Sequence, residues 1–298
     1  MSAAVLQSRP ERRSRLRGYL ALTKPRILPL VIFTALPVLG MAGDGWPSLP
    51  RGIAILLGIT VAAAAANVLN MYAERERDAR MERTRLRPLP SALLEPAAAL
   101  RFGIALSLLS SGGLYAVAGA PAALWSAASI LFYVFVYTLW WKPRSPYNAV
   151  IGGAAGAAAP LIADAAMNGS IGWAGLLLFS IVFLWQPPHV WAIAMYRRDD
   201  YAAGGIPMMP AVIGQRRTLH QMLAYTVGLV AVSLLPSALG LLGGLYTVSA
   251  LLLGAGFFWS QIRLLRERSD AAARRVFVVS LAYLSLLYLS MLADLLLA

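Results

Sequence analysis

The chain reads as long apolar runs separated by short, arginine-rich polar connections. Nine runs stand out, approximately 26–43, 52–73, 97–117, 121–141, 147–166, 171–195, 219–239, 243–262 and 276–296. About 20 apolar residues in a helix cross the hydrocarbon core of a bilayer, so each run is long enough to span or nearly so. Only helices and closed barrels satisfy their own backbone polar groups in lipid. Barrel strands alternate polar and apolar residues, and these runs do not. The pattern therefore predicts an all-α, polytopic membrane protein with nine transmembrane helices.

Composition agrees. Of the 298 residues, 59% are hydrophobic and 13% charged, with a mean hydropathy of +0.66. A soluble domain carries about 25% charged residues, enough to clothe a wet surface; this chain does not. The absence of cysteine excludes disulfides, thiolate metal sites and cysteine nucleophiles. The formal charge of +13 would suggest a nucleic-acid partner in a soluble chain. Here it records orientation in a membrane, and no nucleic-acid partner is expected. With nine spans, 24 of the 26 Lys and Arg fall on one side, with Arg51 opposite and Arg101 just inside the third run. The positive-inside rule then puts the N-terminus in the cytoplasm and the C-terminus outside, in the cell membrane of a prokaryote.

No cleavable signal peptide is visible, and the first segment reads as a basic tail on an anionic leaflet rather than a transit peptide. The expected organisation is a basic cytoplasmic tail over 1–24 and a single transmembrane domain over 25–298. The two longest loops, about 74–96 and 196–218, follow the second and sixth runs, which hints at a duplicated four-helix unit.

Carboxylates collect at these loops. Asn67, Asn70, Glu74 and Asp78 are spaced three, four and four apart, along one helical face. The row descends into the apolar stretch Val61–Ala66, where polar groups need partners or a wet cavity and mark function by default. Glu76 and Glu82 read instead as solvated partners of Arg75, Arg77, Arg80 and Arg83. Oxygen ligands on one face suit Mg²⁺, which commonly bridges a few carboxylates to substrate phosphates. Lys142 and Arg144 would complement the remaining phosphate charge. A second cluster, Tyr196-Arg-Arg-Asp199-Asp200, lies at the same membrane face.

These residues resemble the UbiA-type intramembrane prenyltransferases, and in particular the members that act on heme. The motif Asn-x-x-x-Asp-x-x-x-Asp appears as Asn70-Met-Tyr-Ala-Glu74-Arg-Glu-Arg-Asp78, followed by Met81-Glu-Arg-Thr84-Arg-Leu-Arg-Pro88. Leu22-Thr-Lys24-Pro-Arg26, Asn148-Ala-Val-Ile-Gly152-Gly-Ala-Ala-Gly156, Trp185-Gln-Pro-Pro-His189 and Asp199-Asp-Tyr-Ala-Ala-Gly-Gly-Ile-Pro207 follow the same resemblance. Two positions depart from it: Glu74 stands for an aspartate, and Tyr196 for the first acid of the second motif, leaving Asp200 with Asp199 as neighbour.

The resemblance implies a helix bundle around a central cavity. It also implies Mg²⁺-dependent transfer of farnesyl from farnesyl diphosphate to a vinyl group of heme b, with addition of water, giving heme O. Asn70, Glu74, Asp78 and Asp200 would hold the metal, with Asp199 in the catalytic set. Lys24, Arg26, Asn67, Lys142, Arg144, Asn148, His189 and Tyr196 would bind substrates, Arg26 through diphosphate or a heme propionate. The other partners implied are membrane lipids and a downstream heme-modifying enzyme. An allylic cation needs a dry chamber, and Tyr72, Tyr147 and Trp191 are candidates to stabilise it by cation–π contact. His189, after Pro187-Pro188, is where the helix should kink or open, and it is a candidate contact for heme iron. The small-residue run Gly152–Ala159 reads as a close-packing stripe, and His220 as a surface residue. Two rivals stand beside this reading: a family member acting on an aromatic quinone precursor, and a transporter of small organic anions with midplane polar groups.

Overall fold

The computed structural model describes residues 14–43 and 45–297. Of the basic tail expected over 1–24, Arg9, Arg12 and Arg13 lie outside the described residues. All regular structure among the described residues is helical. A helix over 14–22 (α1) precedes the apolar helices α2 (Leu28–Met41), α3 (Leu49–Asp78), α4 (Pro96–Ala118), α5 (Ala120–Trp141), α6 (Asn148–Asn168) and α7 (Trp173–Tyr196). Two short helices follow, α8 (Arg198–Ala203) and α9 (Met209–Val212). The last three are α10 (Gln215–Ala238), α11 (Gly244–Glu267) and α12 (Asp270–Leu297).

Eight of these are long and apolar enough to cross a membrane, and α2, at 14 residues, is a shorter apolar helix. They correspond one for one to the nine runs, with three changes of boundary. The chain turns over Lys24–Ile27, which shortens the first run. The second helix continues to Asp78, so the whole acidic row is helical rather than half in a loop. The last begins at Asp270, with Asp270 in its first turn where the helix dipole favours a carboxylate. Proline at the first or second position opens α2, α3, α4 and α5, where its missing donor is not needed. Gly119 alone joins α4 to α5, at φ 82°, a conformation a side chain resists. The opening expected at Pro187-Pro188 does not occur; α7 runs unbroken through both.

The helices close a ring in which α2 touches both α3 and α12. The second half of α6, Ala158–Asn168, fills the middle of one end, with every residue from Ala158 to Ala166 buried. At that end two carboxylates secure the turns. Asp164, fully buried, accepts from Asn168 Nδ2 at 2.7 Å and from the backbone amides of Gly172 and Gly175 at 2.6 and 3.1 Å. Asp294 likewise accepts from the Gly243 amide and from that of Tyr246 at 3.3 Å. Each carboxylate therefore serves the opening turn of α7 or α11, whose amides have no helical partner. The opposite, arginine-rich end carries Lys24, the 79–95 loop, the α5–α6 turn, and α8 and α9.

Replacing Asp164 by alanine strands three donors inside the bundle. The expected loss is about 3 kcal/mol of stability, with Asp164→Asn in between because it keeps an acceptor. Thermal unfolding of the purified protein in detergent measures both.

Candidate active site

The last three turns of α3 bring Asn67, Asn70, Glu74 and Asp78 to the arginine-rich end, and all four are buried. Carboxylates at that depth require partners, and each has one. Lys142 Nζ lies 2.5 Å from Glu74 Oε1. Glu74 is therefore a buried carboxylate compensated by a lysine ammonium from the end of α5. Asp78 Oδ2 pairs with Arg87 Nη1 at 2.7 Å, and its carbonyl accepts from Thr84 Oγ1 at 2.8 Å, which folds the following loop back onto the helix. Asn70 Oδ1 accepts from Lys24 Nζ at 3.0 Å, and its Nδ2 donates to Thr138 Oγ1 at 3.0 Å. Asn67 Nδ2 holds the Thr23 carbonyl at 3.1 Å, fixing the turn that presents Lys24.

Two backbone features aim these groups. Lys24 adopts φ 54°, a left-handed conformation that costs a non-glycine residue about 1 kcal/mol and clusters at functional sites. The last ten residues of α5, Phe132–Trp141, form a π-helix, a rare wide turn found mostly at functional sites. A backbone i−5 bond from Lys142 N to Tyr137 O at 2.8 Å closes it, the Thr138 hydroxyl donates to the Tyr133 carbonyl at 2.8 Å, and Thr138 and Lys142 meet the α3 row. Tyr133 and Tyr137 stand 5.3 Å apart beside it, with Lys142 Nζ 5.6 Å from the Tyr137 ring. Gly152 permits this: a Cβ there would lie 2.7 Å from Tyr137.

Behind the polar row lies a cavity of about 180 Å³ between α2, α3, α5 and α6. Lys24, Asn67 and Tyr133 line its polar end; Ala62, Ala66 and Gly156 are among its small, apolar walls. The small-residue run of α6 thus does two things, admitting Tyr137 and leaving room.

The second motif sits in a polar hollow at the same end, with Arg80, Arg83, Tyr196, Asp199 and Asp200 in its lining. Asp200 Oδ2 meets Arg83 Nε at 3.4 Å, which ties this hollow to the loop after α3, and Asp200 Oδ1 is buried without a hydrogen-bond partner. Asp199 is exposed. Among the described residues no three carboxylates or histidines converge to hold an ion by themselves. The four oxygen-bearing side chains read as metal ligands are therefore two groups, Asn70–Glu74–Asp78 on α3 and Asp200 across Arg83. The donor set fits a hard cation: Asp200 Oδ1 is buried without a hydrogen-bond partner, Glu74 Oε1 has the Lys142 ammonium beside it, and Mg²⁺ accepts few protein ligands when phosphate supplies others.

Other residues lie elsewhere. Arg144 Nη1 donates to the carbonyls of Leu139 and Trp140, closing the end of α5 instead of reaching the carboxylates. Asn148 Nδ2 donates to the carbonyls of Ser145 and Pro207, stitching two loops together. Arg26 and His220 are exposed. His189 lies between α7 and α12, its ring stacked on Trp185 at 4.3 Å. Tyr196 stands edge-on to Phe277 at 6.4 Å. Of the aromatic candidates, Tyr72 packs beside Arg75 on the α3–α4 side, Tyr147 is exposed and Trp191 is buried in the core. Tyr133, with Tyr137 beside it, is the aromatic residue that lines the cavity. Thr138, Arg83 and Arg87 are further residues of the site that spacing did not single out.

Burial, and then the Arg87 guanidinium, lower the Lys24 ammonium to about 7. The chain has two lysines, Lys24 and Lys142. After ¹³C-methylation of the metal-free protein, the Lys24 resonance, assigned by its loss in Lys24→Arg, should titrate near pH 7. Above that pH the mouth of the cavity loses a positive charge, so inorganic diphosphate should bind more weakly as pH rises through it.

Residues 31–287 match the UbiA prenyltransferase family. The chain is 42% identical over 280 residues to a protoheme IX farnesyltransferase of Symbiobacterium thermophilum, covering 93% of this chain and 94% of that one. It is 46% identical over 287 residues to another from Gluconacetobacter diazotrophicus, covering 93% and 91%. Among solved structures it resembles a digeranylgeranylglyceryl phosphate synthase at TM-score 0.80 and 18% identity, covering 95% of this chain and 99% of that one. A UbiA homolog from Archaeoglobus fulgidus bound to DMAPP and Mg²⁺ matches at TM-score 0.62 and 15% identity, covering 92% and 99%.

Proposed function

We propose, on the premise that the chain belongs to the UbiA prenyltransferase family, that it farnesylates heme b to give heme O. The bond from farnesyl C1 to diphosphate breaks, a carbon–carbon bond forms to a heme vinyl group, and water supplies the hydroxyl on the remaining vinyl carbon. Diphosphate and a proton leave.

One observation carries the reading: an apolar cavity whose polar end adjoins carboxylates already matched to cations. Asn70, Glu74, Asp78 and Asp200 are the proposed holders of Mg²⁺, with Asp199 at the rim. Bound there with the diphosphate, the ion would neutralise charge on the leaving group. Lys142, Arg83 and Arg87 can turn from carboxylate to phosphate oxygens, so each carboxylate is released as its cation is recruited, and Lys24 can turn likewise from the Asn70 amide. Asn67 positions Lys24 through Thr23. The cavity behind keeps the farnesyl chain from water, and the Tyr133 face is placed for cation–π contact with developing allylic charge. Arg144 and Asn148 act on backbone, holding α5 and the loops. His189 and Tyr196 are assigned to heme, and Arg26 stands at the entrance, where either anionic substrate passes.

The arginine-rich end, by the positive-inside rule, faces the cytoplasm of a bacterial cell. Nine spans, a basic tail over 1–24 and one domain over 25–298 complete the topology proposed. A quinone-precursor acceptor would share the diphosphate site, but the relatives at 41–46% identity carry the heme activity in their names.

Purified protein with Mg²⁺, heme b and farnesyl diphosphate should yield a porphyrin heavier by one farnesyl and one hydroxyl group in mass analysis. Asp78→Ala should cut turnover by at least about a hundredfold while leaving the protein folded and inserted. Unchanged turnover at saturating Mg²⁺ would remove Asp78 from the site.

A further inference from the structure

Between α7 and α12 a single serine organises an aromatic cluster. His189 Nδ1 lies 2.7 Å from Ser280 Oγ, and Ser280 Oγ lies 2.6 Å from the Phe277 carbonyl. A carbonyl oxygen only accepts, so the serine hydrogen is engaged there, and its oxygen must accept from His189 Nδ1–H. That fixes the tautomer: Nδ1 is protonated and Nε2 carries a free lone pair. The Ser280 carbonyl accepts from Trp185 Nε1 at 2.7 Å, and Trp185 stacks on one face of the imidazole at 4.3 Å. Phe277 lies against it at 4.8 Å. The ring is therefore held by an edge and by aromatic neighbours, while Nε2 has no partner among the described residues and His189 is only partly buried.

A neutral imidazole whose Nδ1–H is held by an acceptor is the arrangement that ligates iron, and the holder tunes ligand basicity. Seven residues along α7 from His189, about 10 Å of helix, Tyr196 lies between Arg197 at 6.0 Å and Arg274 at 5.1 Å from its ring. Neither arginine is ion-paired among the described residues. That separation is of the order between the iron of a porphyrin and its propionates.

We infer that Ser280 is a positioning residue that presents His189 Nε2 to the iron of the porphyrin substrate, with Arg197 and Arg274 receiving its propionates. This rests on the proposed heme reading and adds a pose to it. The farnesyl site on α3 and the iron ligand on α7 then belong to different helices, so the two substrates approach from different walls of the bundle.

Resonance Raman spectroscopy of the full chain with ferrous heme b reads the iron–imidazole stretch directly. The parent should show that band; His189→Ala should lose it, and added imidazole should restore it. Ser280→Ala should still bind heme, about tenfold more weakly, with the band moved to lower frequency as the imidazole loses its acceptor. Ser280→Thr should return the parent position, and if the alanine variant does not fold, Ser280→Cys, a weak acceptor, takes its place. Arg274→Gln should weaken heme b but not its dimethyl ester. A parent complex without the band, an unmoved band in the Ser280 variants, or equal loss for heme and its ester in Arg274→Gln would overturn the inference. Failure of the parent to bind heme b at all would instead overturn the heme reading itself.

Discussion

A carboxylate set into the end of an apolar bundle has to be matched by a cation, because neither hydrocarbon nor packed alanine can solvate it. That constraint shapes the whole arginine-rich end. Glu74 draws in Lys142 from the end of α5, Asp78 draws Arg87 back from the loop beyond α3, and Asp200 holds Arg83. Lys24 is turned inward onto Asn70 by a strained backbone. Four connections that would otherwise be free loops are tied by this pairing to one place. The same pairing sets the chemistry, since a site built from matched charges can accept a polyanion and a divalent cation together by exchanging partners.

The two ends of the bundle then divide the work. At one, Ala158–Asn168 plugs the middle and Asp164 and Asp294 cap helix starts, so buried charge there is consumed by backbone amides. At the other, α6 presents Gly152 and Gly156 where larger side chains would collide with Tyr137 and Gln186. Room on the reactive side exists because α6 is small there, and rigidity on the far side because it is packed there. A single break at Ala157 separates the two halves of that helix.

The spans were legible because hydropathy and length suffice to define them, and the acidic row was legible because three-four-four spacing describes a helical face wherever the helix lies. Glu74 and Asp78 fell beyond the apolar run, yet the helix carried on through them. What spacing could not convey was backbone geometry. The hydropathy of Phe132–Trp141 is the same for an α- and a π-helix, so nothing in it brought Thr138 to Asn70. Tyr133 was passed over for Tyr72, Tyr147 and Trp191, which point to a flank, to the surface and into the core. Arg144 was read from its charge, and Asn148 through the resemblance, as substrate ligands; both side chains donate here to nearby carbonyls, a use open to any long donor at a helix end. The pair of prolines before His189 did not open α7, because a helix packed on α6, α10 and α12 can forgo a few backbone bonds.

The transport alternative is answered by the same division. A conduit for an organic anion needs polar or ionisable groups near the middle of the bundle that a passing solute can reach from both sides. Asp164 and Asp294 are the buried carboxylates away from the reactive end among the described residues, and each is saturated by local amides at the start of a helix. Between them and the α3 row stand fully or nearly buried alanines and leucines of α6 and α7. The polar path therefore stops where the cavity does. A cavity with small apolar walls and a polar end at Lys24 and Asn67 suits a substrate with a long apolar tail and an anionic head.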